Sequence, residues 1–128
     1  MSDFNSQNNW AVWFDIPVSD LGRAVKFYSA VLDVKVSQEK FEDFEFGVLE
    51  HEQGNGGCLV PKADEITSTS GILLYLNVDG RLQDAVSKVE SQGGQIVQAV
   101  HSIGPHGFRS IVLDSEGNRI VLHSSSDA

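Results

Sequence analysis

Cysteine is nearly missing from these 128 residues. Cys58 stands alone, so no internal disulfide can form and the fold needs no oxidising compartment. Basic side chains are also scarce, nine Lys and Arg against eighteen Asp and Glu, for a net charge of −9. So few cations exclude a reader of phosphate backbones, which binds by releasing counterions, and argue equally against attachment to an anionic membrane surface. No apolar run approaches the roughly 20 residues that cross a bilayer. The opening stretch Met1–Asn9 is polar and lacks the apolar centre of a signal peptide. A soluble, cytoplasmic protein is therefore expected. What is present is globular: 41% apolar and 21% charged residues suit one packed domain. The expected layout is a loose tail over 1–9, a domain over 10–124 and a second tail over 125–128.

The chain repeats itself. In Trp10–Val18 the even positions Trp10, Val12, Phe14, Ile16 and Val18 are all apolar, which predicts a strand with one face on a core. Ser19 or Asp20 can then cap a helix whose apolar stripe is Leu21, Ala24, Val25, Tyr28, Val31 and Leu32. Strands are expected over about Phe41–Glu50 and Gly57–Val60, with Gly54–Gly57 supplying the positive φ of a hairpin turn. The second half opens alike. Gly71–Asp79 alternates, with Ile72, Leu74, Leu76 and Val78 on one side. A helix with the stripe Leu82, Ala85, Val86 and Val89 follows and stops at Gly93-Gly94. Strands are predicted over Gln95–Val100, Phe108–Leu113 and Asn118–His123, the last two joined by a turn at Asp114–Gly117. The repeat is roughly 60 residues long, too long and too few in copies for a solenoid. It predicts two small α+β modules, about 10–60 and 71–124.

The segment Trp13-Phe14-Asp15-Ile16-Pro17-Val18-Ser19-Asp20-Leu21, with Arg23-Ala24 and Phe27-Tyr28, resembles the opening of a vicinal-oxygen-chelate domain. That superfamily includes glyoxalase I, the bleomycin-resistance proteins and the extradiol dioxygenases. Leu76-Asn77-Val78-Asp79 with Gly93-Gly94, and the ending Asp114-Ser115-Glu116-Gly117-Asn118-Arg119-Ile120, fit the same pattern. The resemblance spans about Trp10–Ser124. It implies two βαβββ modules forming an open, cup-like mixed sheet with helices on the outer face, and a homodimer. It also places the metal ligands of metal-dependent members at Trp13, at Leu73, at Val121 and around Leu59–Pro61. None of these side chains offers a lone pair to a divalent ion. The expectation is therefore no metal and no cofactor.

Parity nominates a different set of residues. Asp15 lies two after Trp13, Tyr75 and Asn77 lie two and four after Leu73, and His123 lies two after Val121. With the implied fold, Asp15, Tyr75, Asn77 and His123 converge on one hollow walled by Trp13, Leu73 and Val121, the composition of a small-molecule pocket. Asp15 and His123 are the catalytic candidates, and Trp13, Leu73, Tyr75, Asn77 and Val121 the ligand-binding ones. Each also has a plainer role open to it: Asp15 as a hydrogen-bonded structural carboxylate, His123 as a surface histidine beside the C-terminal serines, Asn77 as the cap of the following turn. His101 and His106 flank Gly104-Pro105 in what reads as an exposed loop, and Cys58 reads as packing.

Two function classes follow. The first is a glyoxalase- or bleomycin-resistance-like protein that binds a small organic molecule without the usual metal centre, with the −9 charge favouring a cationic one. The second is a metal-independent or displaced-metal enzyme of lyase, isomerase or dioxygenase type, with Asp15 and His123 as acid and base or as ligands. On the binding reading, Asp15→Asn and His123→Ala change affinity and leave thermal stability nearly unchanged.

Overall fold

A computed structural model describes residues 7, 9–67 and 70–128 of the chain. The expected tail over 1–9 falls mostly outside the described residues. Strand β1 (Ala11–Val18) is followed by helix α1 (Leu21–Leu32), β2 (Val36–Phe41), β3 (Phe44–Leu49) and β4 (Cys58–Pro61). Then come β5 (Leu73–Asn77), α2 (Leu82–Ser87), β6 (Gln95–Ser102), β7 (Phe108–Leu113) and β8 (Arg119–Ser124). The fold is α+β, and the element order is βαβββ twice over. Two compact units result, Trp13–Ile72 and Leu73–Ala128, and residues 9–12 at the start of β1 cluster with the second.

In the first unit the strands run β2-β3-β4-β1. β2 with β3 and β3 with β4 are antiparallel, whereas β1 lies parallel to β4 with Asp15 opposite Cys58. Asp20 caps α1, its carboxylate accepting the Arg23 N–H at 3.0 Å, and Asp33 ends the helix in the left-handed region at φ 53°. The helix lies over β3 at Gly47, where an added Cβ would meet Leu21 and Val25 at ordinary contact distance.

Four expectations are corrected here. The strand expected over Phe41–Glu50 is β3, but β2 before it was not expected; the two form a hairpin turning at Glu42-Asp43 with Glu42 at φ 57°. The turn contains no Gly or Asn, so its usual signal is absent. None of Gly54, Gly56 and Gly57 has positive φ; in that loop the left-handed residue is Glu52. Gly57 is needed instead for close approach, since a Cβ there would sit 2.4 Å from the Phe14 ring and 2.6 Å from the Phe14 carbonyl oxygen. The α1 stripe is shorter than expected: Val31 and Leu32 are exposed. Trp10, assigned to the buried face of β1, precedes the strand and is 83% exposed.

The second unit repeats the connectivity with the order β5-β8-β7-β6. β5 is parallel to β8, and β7 pairs antiparallel with both β8 and β6. Here α2 packs as its pattern predicts. Leu82, Val112 and Leu122 form a buried cluster, joined by Val78, Ala85, Val86 and Val89. Each fully buried aliphatic side chain contributes about 1.5–3 kcal/mol. Gly93 at φ 93° and Gly117 at φ 91° supply the left-handed residues that the end of the helical turn after α2 and the β7–β8 turn require. The C-terminal end is anchored at its root: the buried Ser124 hydroxyl accepts the Gly80 N–H at 2.9 Å, and the Ser125 N–H and hydroxyl both donate to Asp79. Among the described residues no helix is long and apolar enough to cross a membrane.

Candidate functional site

Helix α2 covers one face of the second sheet, and strand registers decide what stands on the other. Tyr75 lies opposite Val121 and Val121 opposite Ile111. One step along, Asn77 lies opposite His123, His123 opposite Arg109, and Arg109 opposite His101. A polar rung, Asn77–His123–Arg109–His101, therefore crosses all four strands of the unit, with Tyr75 beside it. The structure thus brings together Tyr75, Asn77, Val121 and His123 of the nominated residues. Leu73 is two residues before Tyr75 on the same strand and is buried.

Two members of the rung were not nominated, Arg109 and His101. The Arg109 Nε–H donates to His101 Nε2 at 3.0 Å, an Nη1–H donates to the Tyr75 hydroxyl, and the guanidinium carbon lies 5.8 Å from the Tyr75 ring centre. His101 Nδ1 donates to the Ala99 carbonyl at 2.8 Å, which leaves Nε2 as the acceptor for Arg109 and fixes the tautomer. His101 is thus a β6 residue facing the sheet, not part of an exposed loop.

His123 is only 3% exposed, which removes the surface-histidine reading. Its Nε2 donates to the His106 carbonyl at 2.6 Å, so the neutral ring carries its lone pair on Nδ1. Burial holds the imidazole below its ordinary pKa, because the charged form loses hydration; the His106 carbonyl and Asp79 oppose this more weakly. Asn77 has a structural task. Its side-chain carbonyl accepts the Asp79 N–H at 2.9 Å as a turn cap, and its amide donates to the Asn9 carbonyl at 2.8 Å.

Asp15 and Trp13 belong to the first unit. The Cys58 thiol donates to Oδ1 of the half-buried Asp15 at 3.2 Å. Trp13 is buried, edge-on to the His51 ring at 5.7 Å. The first unit also holds a depression of about 300 Å³ beside the start of α1, lined by Asp20, Arg23, Phe27, Tyr28 and Ile66 among others. None of the nominated residues lines it.

The positions at which the resemblance places metal ligands do not fit a metal. Trp13, Leu73 and Val121 are buried and apolar, as are Leu59 and Val60. Among the described residues no group of three or more His, Cys, Asp or Glu side chains could hold an ion.

Comparison with known proteins identifies the family of this fold. The family model described as Glyoxalase/Bleomycin resistance protein/Dioxygenase superfamily matches residues 10–122. A glyoxylase-like domain-containing protein of Didymella fabae is 33% identical over 115 residues, covering 81% of this chain and 84% of that protein. Among solved structures, a hypothetical protein from Bacillus halodurans superposes with a TM-score of 0.70 at 14% identity, covering 95% and 98% of the two chains. Methylmalonyl-CoA epimerase from Mycobacterium tuberculosis gives 0.64 at 18% identity, covering 90% and 87%. At such identities the structural likeness speaks for the fold alone. The family match, the fungal relative and the doubled βαβββ connectivity agree: the chain belongs to the glyoxalase/bleomycin-resistance/dioxygenase superfamily.

Proposed function

We propose that the protein binds a small organic molecule on the helix-free face of its second unit, without the metal centre found in part of its superfamily. The observation that carries this reading is the rung Asn77–His123–Arg109–His101 set beside Tyr75, Val121 and Ile111. A few fixed polar groups among apolar walls orient a ligand while contact area supplies affinity. The network would also serve as preorganised recognition, because Arg109 is held in place by two neutral groups before any ligand arrives. A fragment screen followed by amide and side-chain NMR tests it. Bound fragments are expected to shift signals of Tyr75, Arg109 and His123; a screen in which no fragment perturbs these residues refutes it.

A second reading, metal-independent proton transfer, is supported by His123. An imidazole kept neutral by burial, with its Nδ1 lone pair fixed by the His106 contact, has the form of a general base. In that reading Arg109 and Tyr75 stabilise a developing oxyanion. Loss of turnover with retained binding in His123→Gln would favour it.

A further inference from the structure

We infer that Arg109 is the anchor for a carboxylate on the bound molecule, so that the ligand class is small organic acids with an apolar body. The inference rests on the binding reading above and narrows it. Arg109 is half-buried, and its partners are His101 Nε2, the Tyr75 hydroxyl and the Tyr75 ring, none of them an acid. Among the described residues no carboxylate pairs with it, in a chain holding eighteen Asp and Glu. A partly buried cation without a counter-ion is costly, and nearby acids are the common remedy. Here the surroundings fix the guanidinium's direction and leave its charge uncompensated. Two of the five guanidinium N–H donors are engaged by these partners, and the others remain for an external acceptor.

The chemistry favours one negative charge over two. The other arginine facing the same side, Arg119, is four residues along β8 from His123, about 13 Å at the usual strand rise. A single guanidinium flanked by neutral His and Tyr matches a carboxylate better than a phosphate dianion. The Tyr75 ring and Ile111, one rung away, would take the apolar body. The net charge of −9 favours cations at long range, but screening limits that preference to about 8–10 Å in physiological salt. At contact distance the guanidinium decides.

The test uses the full chain and four probes of one shape: benzoate, benzamide, benzylammonium and phenylphosphonate. Titrations are followed by calorimetry and by the ¹⁵N signal of Arg109 Nε. Benzoate is expected to bind at least about tenfold more tightly than benzamide and to move the Nε signal, the discrimination typical of a charged hydrogen bond. Arg109→Gln should bring the benzoate-to-benzamide affinity ratio close to one, and Arg109→Lys should keep part of the preference. Should Arg109→Gln fail to fold, the lysine variant and the wild-type Nε signal still decide. Equal affinity for benzoate and benzamide, a preference for benzylammonium, or tenfold tighter binding of phenylphosphonate overturns the carboxylate anchor and leaves small-molecule binding standing. Failure of all four probes to bind the second unit overturns both.

Discussion

Replacing His123 separates a framework role from a chemical one. His123→Ala removes a ring that is 3% exposed and leaves the His106 carbonyl without its donor at 2.6 Å. An abandoned buried acceptor costs about 1–3 kcal/mol. Truncating a buried ring of this size adds about 1–2 kcal/mol for lost contacts and the cavity left behind. The expected loss is about 2–5 kcal/mol, or roughly 7–19 °C in Tm for a chain of this length. This replaces the expectation, drawn from the sequence, that His123→Ala leaves stability nearly unchanged. His123→Gln places an amide N–H where Nε2 stood and should recover more than half of the loss. Thermal and urea unfolding of the two variants measure it, while any proton-transfer function disappears in both. A Tm within about 1 °C of wild type for His123→Ala would refute the reasoning, because the carbonyl contact would then contribute nothing.

Gly57→Ala should cost about 2–3 kcal/mol in urea unfolding, since its Cβ meets the Phe14 carbonyl at 2.6 Å, whereas Gly71→Ala, which enters open space, should be neutral or slightly stabilising. Equal midpoints for the two would show that β1 and β4 do not approach as described. Acidification should destabilise in two windows. The folded His123 has a lowered pKa, so the unfolded chain takes up that proton first and stability falls as pH drops from about 6.5 toward the folded value. The Asp79 carboxylate is held below its usual range, first by the Ser125 N–H and then by the Ser125 hydroxyl. Its contribution is present above about pH 4 and is lost as pH falls through the folded value. Tm against pH in wild type, His123→Gln and Asp79→Asn checks both, each variant flattening its own window. Elemental analysis of the purified protein should find far less than one transition metal per chain, and a chelator should leave Tm unchanged, because Trp13, Leu73 and Val121 offer no ligand atoms.

Most of the architecture was legible because alternation and caps are local signals. Leu82, Ala85, Val86 and Val89 announced α2, and Asp114–Gly117 announced the β7–β8 turn. The β2–β3 hairpin was hidden because Val36-Ser37-Gln38-Glu39-Lys40 carries no apolar alternation and its turn is Glu42-Asp43. Within the site, Arg109 could have been found. Counting outward from the β7–β8 turn, where Leu113 pairs with Arg119, brings Arg109 opposite His123. His101 could not, since two register shifts in β6 intervene between Ile96 and His101, and each bulge breaks the count. Asn77 and Asp15 were visible as polar residues on apolar strands, but their ties to Asp79, Asn9 and Cys58 lie beyond what periodicity reveals.

The parallel pairing of first and last strands sets an order of assembly. The β2–β3 and β7–β8 hairpins close loops of a few residues, whereas β1–β4 joins residues 43 apart, Asp15 to Cys58, and β5–β8 joins Asn77 to His123. Loop-closure entropy makes the hairpins early and the parallel seams late. Half of the rung, Arg109 opposite His123, can therefore form with its hairpin, while Asn77 and Tyr75 join only when the seam zips. The rung is therefore complete only once β5 has paired with β8.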